Sequence, residues 1–87
     1  MKLNDHFMLR EVAGCYVVVP VGETVVNFSG MFSVSETGAF LWNLLVSGDT
    51  FEGLVQALQS SYEVDDRTAK KDVAEFIQKL TEIGALN

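Results

Sequence analysis

The chain has 87 residues, of which 48% are hydrophobic and 21% are charged. These figures predict a single small domain over residues 1–87, because the apolar fraction is too high for a disordered chain and the length leaves no room for a second core. A domain of this size buries only about 60% of its unfolded surface, so few side chains are free to line a large substrate cavity. The net charge of −6, from 12 acidic and 6 basic residues, disfavours binding to nucleic acid.

The sequence has neither the pattern of a targeting signal nor many of the residues that take part in covalent or metal chemistry. The first residues, MKLNDH, are polar where a signal peptide needs an apolar run, and no stretch approaches 18 consecutive apolar residues. We therefore expect a cytoplasmic protein without a membrane partner. Cys15 and His6 are single residues of their types, so the sequence offers no intramolecular disulfide and no recognisable metal or catalytic constellation. We expect no metal and no cofactor.

The first third of the chain predicts an antiparallel sheet of three or four strands. FMLREV (residues 7–12) and CYVVV (15–19) are rich in strand-forming residues, and Ala13-Gly14 is a short, permissive turn between them. TVVNF (24–28) alternates again, and MFSV (31–34) follows as a short extended segment. The predicted sheet therefore covers residues 7–34.

Three helices follow, at about residues 35–46, 50–61 and 66–83. Apolar residues recur in each at helical spacing, so each predicts one face packed on the core. Each also begins near a residue that can cap it. The candidate caps are Ser33 or Ser35, Asp49 or Thr50, and Asp65 or Asp66.

A sheet followed by three short helices predicts an α+β fold that is winged helix-turn-helix-like, with the wing strands placed first. Both DNA-binding proteins and protein adaptors use that arrangement, so the fold alone does not choose a function.

Several segments, in order along the chain, resemble the PqqD-like family. SVSETGAFLW (residues 33–42) is similar to its "LNETGAxIW" signature, and FMLREVAGCYVVVP (7–20) to the amino-terminal strands of its short members. TFEGLV (50–55) is similar to its "T-x-E-E-L-V" pattern, and YEVD (62–65) with the final GAL (84–86) to its carboxyl-terminal pattern. The resemblance covers most of the chain. It departs from the family where Ser35 replaces an Asn and Gly53 replaces a Glu.

This resemblance implies a recognition element for precursors of ribosomally synthesised, post-translationally modified peptides. Such a domain is not an enzyme: it captures the leader segment of a precursor peptide and presents the core segment to a modifying enzyme, such as a radical S-adenosylmethionine (SAM) enzyme. The resemblance further implies that the leader binds as an added strand beside the last strand of the sheet, in the groove that this strand forms with the third helix.

The residues expected to bind peptide lie on those two elements. The candidate edge strand is Met31, Phe32, Ser33 and Val34, which contains no proline to remove a backbone donor. A helical-wheel count on the third helix gathers three of the six bases on one flank, which we interpret as the other wall, suited to an acidic leader. With neighbouring positions, this wall comprises Arg67, Lys70, Lys71, Ala74, Ile77 and Thr81.

Other interpretations stay open at this point. The edge strand is also explained as a fully paired hairpin strand, and the basic flank as a solvated surface balanced by acids, with Glu75 and Lys79 four residues apart. A winged-helix DNA-binding regulator is the alternative function, motivated by Arg67, Lys70 and Lys71 but opposed by the net charge. An uncovered strand edge also permits a homodimer, through that edge or by strand exchange.

Overall fold

The computed structural model describes residues 3–21 and 32–86. Over these residues a three-stranded antiparallel sheet precedes three helices, which confirms the predicted α+β fold. The predicted strand at 24–28 and the candidate binding residue Met31 lie outside the described residues, and the winged-helix label stays a prediction. The strands are β1 (Phe7–Val12), β2 (Cys15–Pro20) and β3 (Phe32–Val34); the helices are α1 (Glu36–Val46), α2 (Phe51–Tyr62) and α3 (Asp66–Glu82).

A tight hairpin forms the first half of the sheet. β1 pairs with β2 from Phe7 opposite Pro20 to Val12 opposite Cys15, which leaves only Ala13 and Gly14 in the turn. Both turn residues have positive φ, at 53° and 82°. A two-residue turn with both φ values positive matches the twist of paired strands, so this confirms the turn predicted at Ala13-Gly14.

β2 is the central strand and β3 lies at one side of it. Val18 pairs with Phe32 and Tyr16 with Val34, so β3 runs antiparallel to β2 and leads directly into α1. The two ends of the described chain also meet: Leu3 forms a bridge with Leu86, and the Asn4 N–H donates to the Ala85 carbonyl at 2.8 Å. These contacts hold the amino-terminal segment against the end of the helical layer.

Each helix begins at one of the predicted caps. Ser35, not Ser33, caps α1: its Oγ accepts from the Gly38 N–H at 3.1 Å. Thr50 caps α2 in the same way through the Gly53 N–H at 3.1 Å, and Asp65 caps α3 through the Thr68 N–H at 2.7 Å. These side chains satisfy backbone donors that the first turn of a helix leaves unpaired.

The core lies where the three helices meet the inner face of the sheet. Trp42 is 3% exposed and is a core residue. The predicted apolar stripe of α3 is buried at Ala69, Val73, Phe76 and Leu80, while Ile77 is half-buried at its margin. No helix in the described residues is both long and apolar enough to cross a membrane. The largest fully buried side chains are Leu41, Leu54, Leu58, Leu80, Val18 and Val73.

Candidate functional site

An open groove of about 360 Å³ runs between β3 and α3. The edge strand and the first turn of α1 form one wall, and one flank of α3 forms the other. A groove of this volume is within the range that holds small ligands or a short peptide segment. Its lining residues are Phe32, Ser33, Val34, Ser35, Thr37, Gly38, Leu41, Asp72, Glu75, Phe76 and Lys79.

The strand wall is an edge of the sheet. Among residues 3–21 and 32–86, β3 pairs with β2 on one side and with no strand on the other. In an antiparallel ladder, the N–H and C=O groups of successive residues point alternately to opposite edges, so β3 directs backbone donors and acceptors toward the groove. Such an edge is a template for a further strand, and its neighbouring pockets then receive alternate side chains.

The floor of the groove is apolar and closely packed. A Cβ added to Gly38 would lie 3.1 Å from the Val34 Cβ and 3.2 Å from Phe76 Cε1. The absence of a side chain at Gly38 therefore lets the Phe76 ring approach α1 and β3 together. Leu41 lies one turn further along α1 and is only 1% exposed, so it supports the floor from beneath. The result is a hydrophobic base on which apolar side chains of a bound segment can pack.

The helix wall is charged. Asp72 is half-buried, and Glu75 and Lys79 are exposed. None of the three forms an ion pair within 4 Å in the described part of the chain, although Glu75 and Lys79 have the i, i+4 spacing of a helical pair. The ion pair that is present joins Lys70 to Asp66 at 2.9 Å, outside the groove.

The groove brings together one of the two predicted sets of binding residues. Phe32, Ser33 and Val34 line it, as expected for the edge strand. None of the six residues expected on α3 lines it, because the flank that faces β3 is the opposite one. At about 100° per residue, the groove-lining positions 72, 75, 76 and 79 lie on the far side of the helix from most of the basic flank. The α3 residues outside the groove are Arg67, Lys70, Lys71, Ala74, Ile77 and Thr81.

The packing of Phe76 determines which flank of α3 faces β3. Its ring touches the position of Gly38 and borders Val34, so the side of α3 next to Phe76 becomes the side next to the sheet. A helical wheel gives the width of the apolar stripe but not which edge of the stripe faces a strand. Gly38 in the SETGAF segment is the sequence signal that indicates this packing, because a glycine in the first turns of a helix often allows another element to approach the helix backbone closely.

A second depression, of about 500 Å³, lies between the amino-terminal segment and α1. Its wall includes Phe7, Met8, Trp42 and Val46, and Met8 and Val46 are 40% and 66% exposed. It is more apolar in character than the groove beside β3, and it lies at the open end of the β1–β2 hairpin.

The titratable groups outside the groove include a helix cap and isolated surface positions in the part of the chain that the structure describes. No three His, Cys, Asp or Glu side chains gather there as metal ligands, and Cys15 is exposed at the hairpin. Hydrogen bonds with the side chain and then the backbone N–H of Thr68 hold the pKa of Asp65 below its ordinary value. That shift belongs to the cap of α3 and lies outside the groove.

Fold and groove together define a small α+β domain with an open strand edge facing a helix. The chain belongs to the PqqD family, described as coenzyme PQQ synthesis protein D, which matches residues 15–86; its recognition elements are non-catalytic peptide-binding proteins. This confirms the family expected from the sequence motifs and the expectation that the protein is not an enzyme. β1 precedes the matched region.

Two solved structures share the fold. TbiB1 in complex with the TbiA(beta) leader peptide is 25% identical, with a TM-score of 0.81 over 100% of this chain and 95% of that chain. Lasso peptide synthetase B1 complexed with the leader peptide is 23% identical, with a TM-score of 0.76 over 95% of this chain and 92% of that one. No curated protein matches the chain in sequence.

Proposed function

We propose that this protein captures the leader segment of a ribosomally synthesised precursor peptide by adding it as a strand to β3. The observation that carries the proposal is the groove itself, in which an edge strand without a second partner in the described residues faces a helix across an apolar floor. Membership of the PqqD family and similarity to TbiB1, solved in complex with a leader peptide, support this assignment.

Backbone hydrogen bonds and the apolar floor would supply the affinity. β3 has only three residues, so it offers few hydrogen bonds to an added strand. Alternate side chains of that strand would pack on Val34 and Phe76, and burial of one large apolar side chain contributes about 1.5–3 kcal/mol. Leader capture therefore requires at least one large apolar residue in the bound segment.

The captured precursor is presented to a modifying enzyme, which the sequence resemblance predicts to be a radical SAM enzyme. The test is the modification of the precursor by the enzyme encoded beside this gene, with and without this protein. Faster modification that requires S-adenosylmethionine supports the proposed enzyme class. Modification by an enzyme of another class would remove the radical SAM partner and leave leader capture standing. The cytoplasmic location stays a prediction.

The direct test of leader capture is a titration of ¹⁵N-labelled protein with the synthetic leader of the precursor encoded at the same locus. We expect the largest shifts at the amides of Phe32, Ser33 and Val34 and along the groove side of α3. A leader with N-methyl groups at alternate backbone amides loses donors for the added strand, so one of the two N-methyl registers should abolish binding. Binding elsewhere, or none, contradicts the proposal.

A matched pair of protein variants locates the site by calorimetry. Phe32→Ala removes an aromatic side chain that lines the groove, whereas Phe51→Ala removes the same side chain from the partly exposed surface of α2. We expect about a tenfold or larger loss of leader affinity for the first variant and no change for the second. Equal losses would place the leader elsewhere.

The basic flank and the homodimer stay predictions. Arg67, Lys70 and Lys71 contact a leader only if it continues beyond the groove and around α3, so neutralising all three tests that extension. If two copies pair through β3, the leader competes for the same backbone groups, and sedimentation should show the dimer dissociating as leader is added.

A further inference from the structure

The charged side chains on the α3 wall of the groove follow a fixed order along the helix. Along the helix, the groove-lining charged residues are Asp72, Glu75 and Lys79, so two acids are followed by one base. These three are the charged residues of the lining. None of them is neutralised by an ion pair in the described residues, and Asp72 is half-buried. Their charges are therefore available to a bound segment.

We infer that the groove selects a leader segment with a basic side chain opposite Asp72 and Glu75 and an acidic side chain opposite Lys79. This inference rests on the proposed function and names the chemical class of leader that it captures. It differs from the acidic leader expected for the basic flank of α3, because the wall that borders β3 has two carboxylates and a single ammonium group.

The helix fixes the spacing of the two leader charges. Glu75 and Lys79 are separated by about 6 Å along the helix axis, and Asp72 and Lys79 by about 10.5 Å. An extended chain rises about 3.3 Å per residue and returns to the same face every second residue. For an added strand that runs along α3, the basic and acidic side chains should thus share one face of the strand, two or at most four positions apart.

Alternative uses of these charges fit the structure less well. If Glu75 and Lys79 served to stabilise α3, their side chains would form an ion pair, but they do not. Solvation alone would favour exposure, yet Asp72 is half-buried beside the apolar floor. Partial burial also strengthens the interaction of Asp72 with an opposite charge relative to a fully solvated pair.

The experiment is a charge-exchange titration with the synthetic leader of the precursor encoded at the same locus. Glu75→Gln and Lys79→Gln should each weaken binding about two- to fivefold at low salt, and the effect should shrink at high salt. The matched control is Glu82→Gln, an acid on the same helix that does not line the groove. Glu82→Gln should leave the affinity unchanged.

The decisive experiment combines a variant of the protein with a leader that carries the complementary charge change. Glu75→Lys should weaken the natural leader, and exchanging the leader's basic residue for glutamate should restore binding to that variant while weakening the wild type. Restored binding supports the inference. A leader that binds equally well to all variants overturns the charge selection and leaves leader capture intact. A leader that binds none of the proteins, wild type included, overturns the proposed function and the charge selection with it.

Discussion

Replacing Gly38 with alanine probes the floor of the groove with the smallest side chain available. The new Cβ would lie 3.1 Å from Val34 and 3.2 Å from the Phe76 ring, a few tenths of an ångström closer than ordinary contact. Val34 is held by its pairing with Tyr16, so the Phe76 ring is the group that must move. It would be displaced toward the groove that it lines.

Two effects on stability oppose one another in Gly38→Ala. Alanine favours a helix over glycine by up to about 1 kcal/mol, whereas overpacking costs about 1–3 kcal/mol. The expected variant is therefore between unchanged and about 2 kcal/mol less stable in urea denaturation followed by circular dichroism. Leader affinity, measured by calorimetry, should fall about tenfold, which corresponds to about 1.4 kcal/mol.

Gly53→Ala is a matched control, because Gly53 occupies the same third position of its helix. Its N–H donates to the cap Thr50 as that of Gly38 donates to Ser35. The atoms nearest to a Cβ at Gly53 belong to the Asp49 carboxylate, which would have to rotate and give up its hydrogen bond from the Thr50 N–H. The gain in helix propensity and the loss of that hydrogen bond offset one another, so Gly53→Ala should change stability by less than about 1 kcal/mol and leave leader affinity unchanged. Unchanged leader affinity in both variants, with Gly38→Ala no less stable than Gly53→Ala, would refute the proposed close approach at Gly38.

Three further predictions concern the caps and the core. Ser35→Ala should lower the free energy of unfolding, measured by urea denaturation, by about 1 kcal/mol, and Ser33→Ala should lower it by less than half of that. The reverse order would show that Ser33 caps α1. Leu80→Ala should lower the free energy of unfolding by about 2–5 kcal/mol because Leu80 is fully buried. The control Lys70→Ala, which removes one partner of an exposed ion pair, should lower it by at most about 0.5 kcal/mol. The stability advantage of wild type over Asp65→Ala should be complete well above about pH 4 and decrease as pH falls through the lowered pKa of Asp65. Urea denaturation at pH 7 and pH 3 measures it, and an advantage that grows on acidification would contradict the assigned cause.

Local signals in the sequence were sufficient for the elements of this fold. The Ala13-Gly14 turn depends on which residues tolerate positive φ, and the caps depend on short polar side chains just before a helix. Each signal acts within a few residues, so it can be recognised without knowledge of the tertiary structure. Local pattern also predicts the extended segment at residues 31–34, but its role as an open edge comes from the family resemblance, because the same pattern is compatible with a strand that is paired on both sides.

The wall formed by α3 could not be predicted in the same way. The helical wheel separates Asp72, Glu75 and Lys79 from the basic residues on the other side of the apolar stripe, but it does not state which group borders β3. The contact of Phe76 with the position of Gly38 determines that, and those residues are 38 positions apart in the sequence. The basic flank is conspicuous in the sequence because the chain has only 6 Lys and Arg residues, but a local concentration of charge carries no information about packing.

Because β3 has only three residues, the charge selection that we infer for α3 would also set the register of a bound leader. Because side chains alternate with a period of two, a leader that slides by two residues along a three-residue edge still presents the same face to the groove. Backbone hydrogen bonds and the apolar floor at Phe76 therefore distinguish such registers poorly. A sequence of two acids and one base is not repeated after a shift of two leader positions, so under the charge selection that we infer Asp72, Glu75 and Lys79 would penalise the shifted register by placing like charges together. If the protein presents a captured precursor as proposed, the register of the leader would decide which core residue reaches the modifying enzyme. The order of charge along α3 is thus more informative than the net charge of −6.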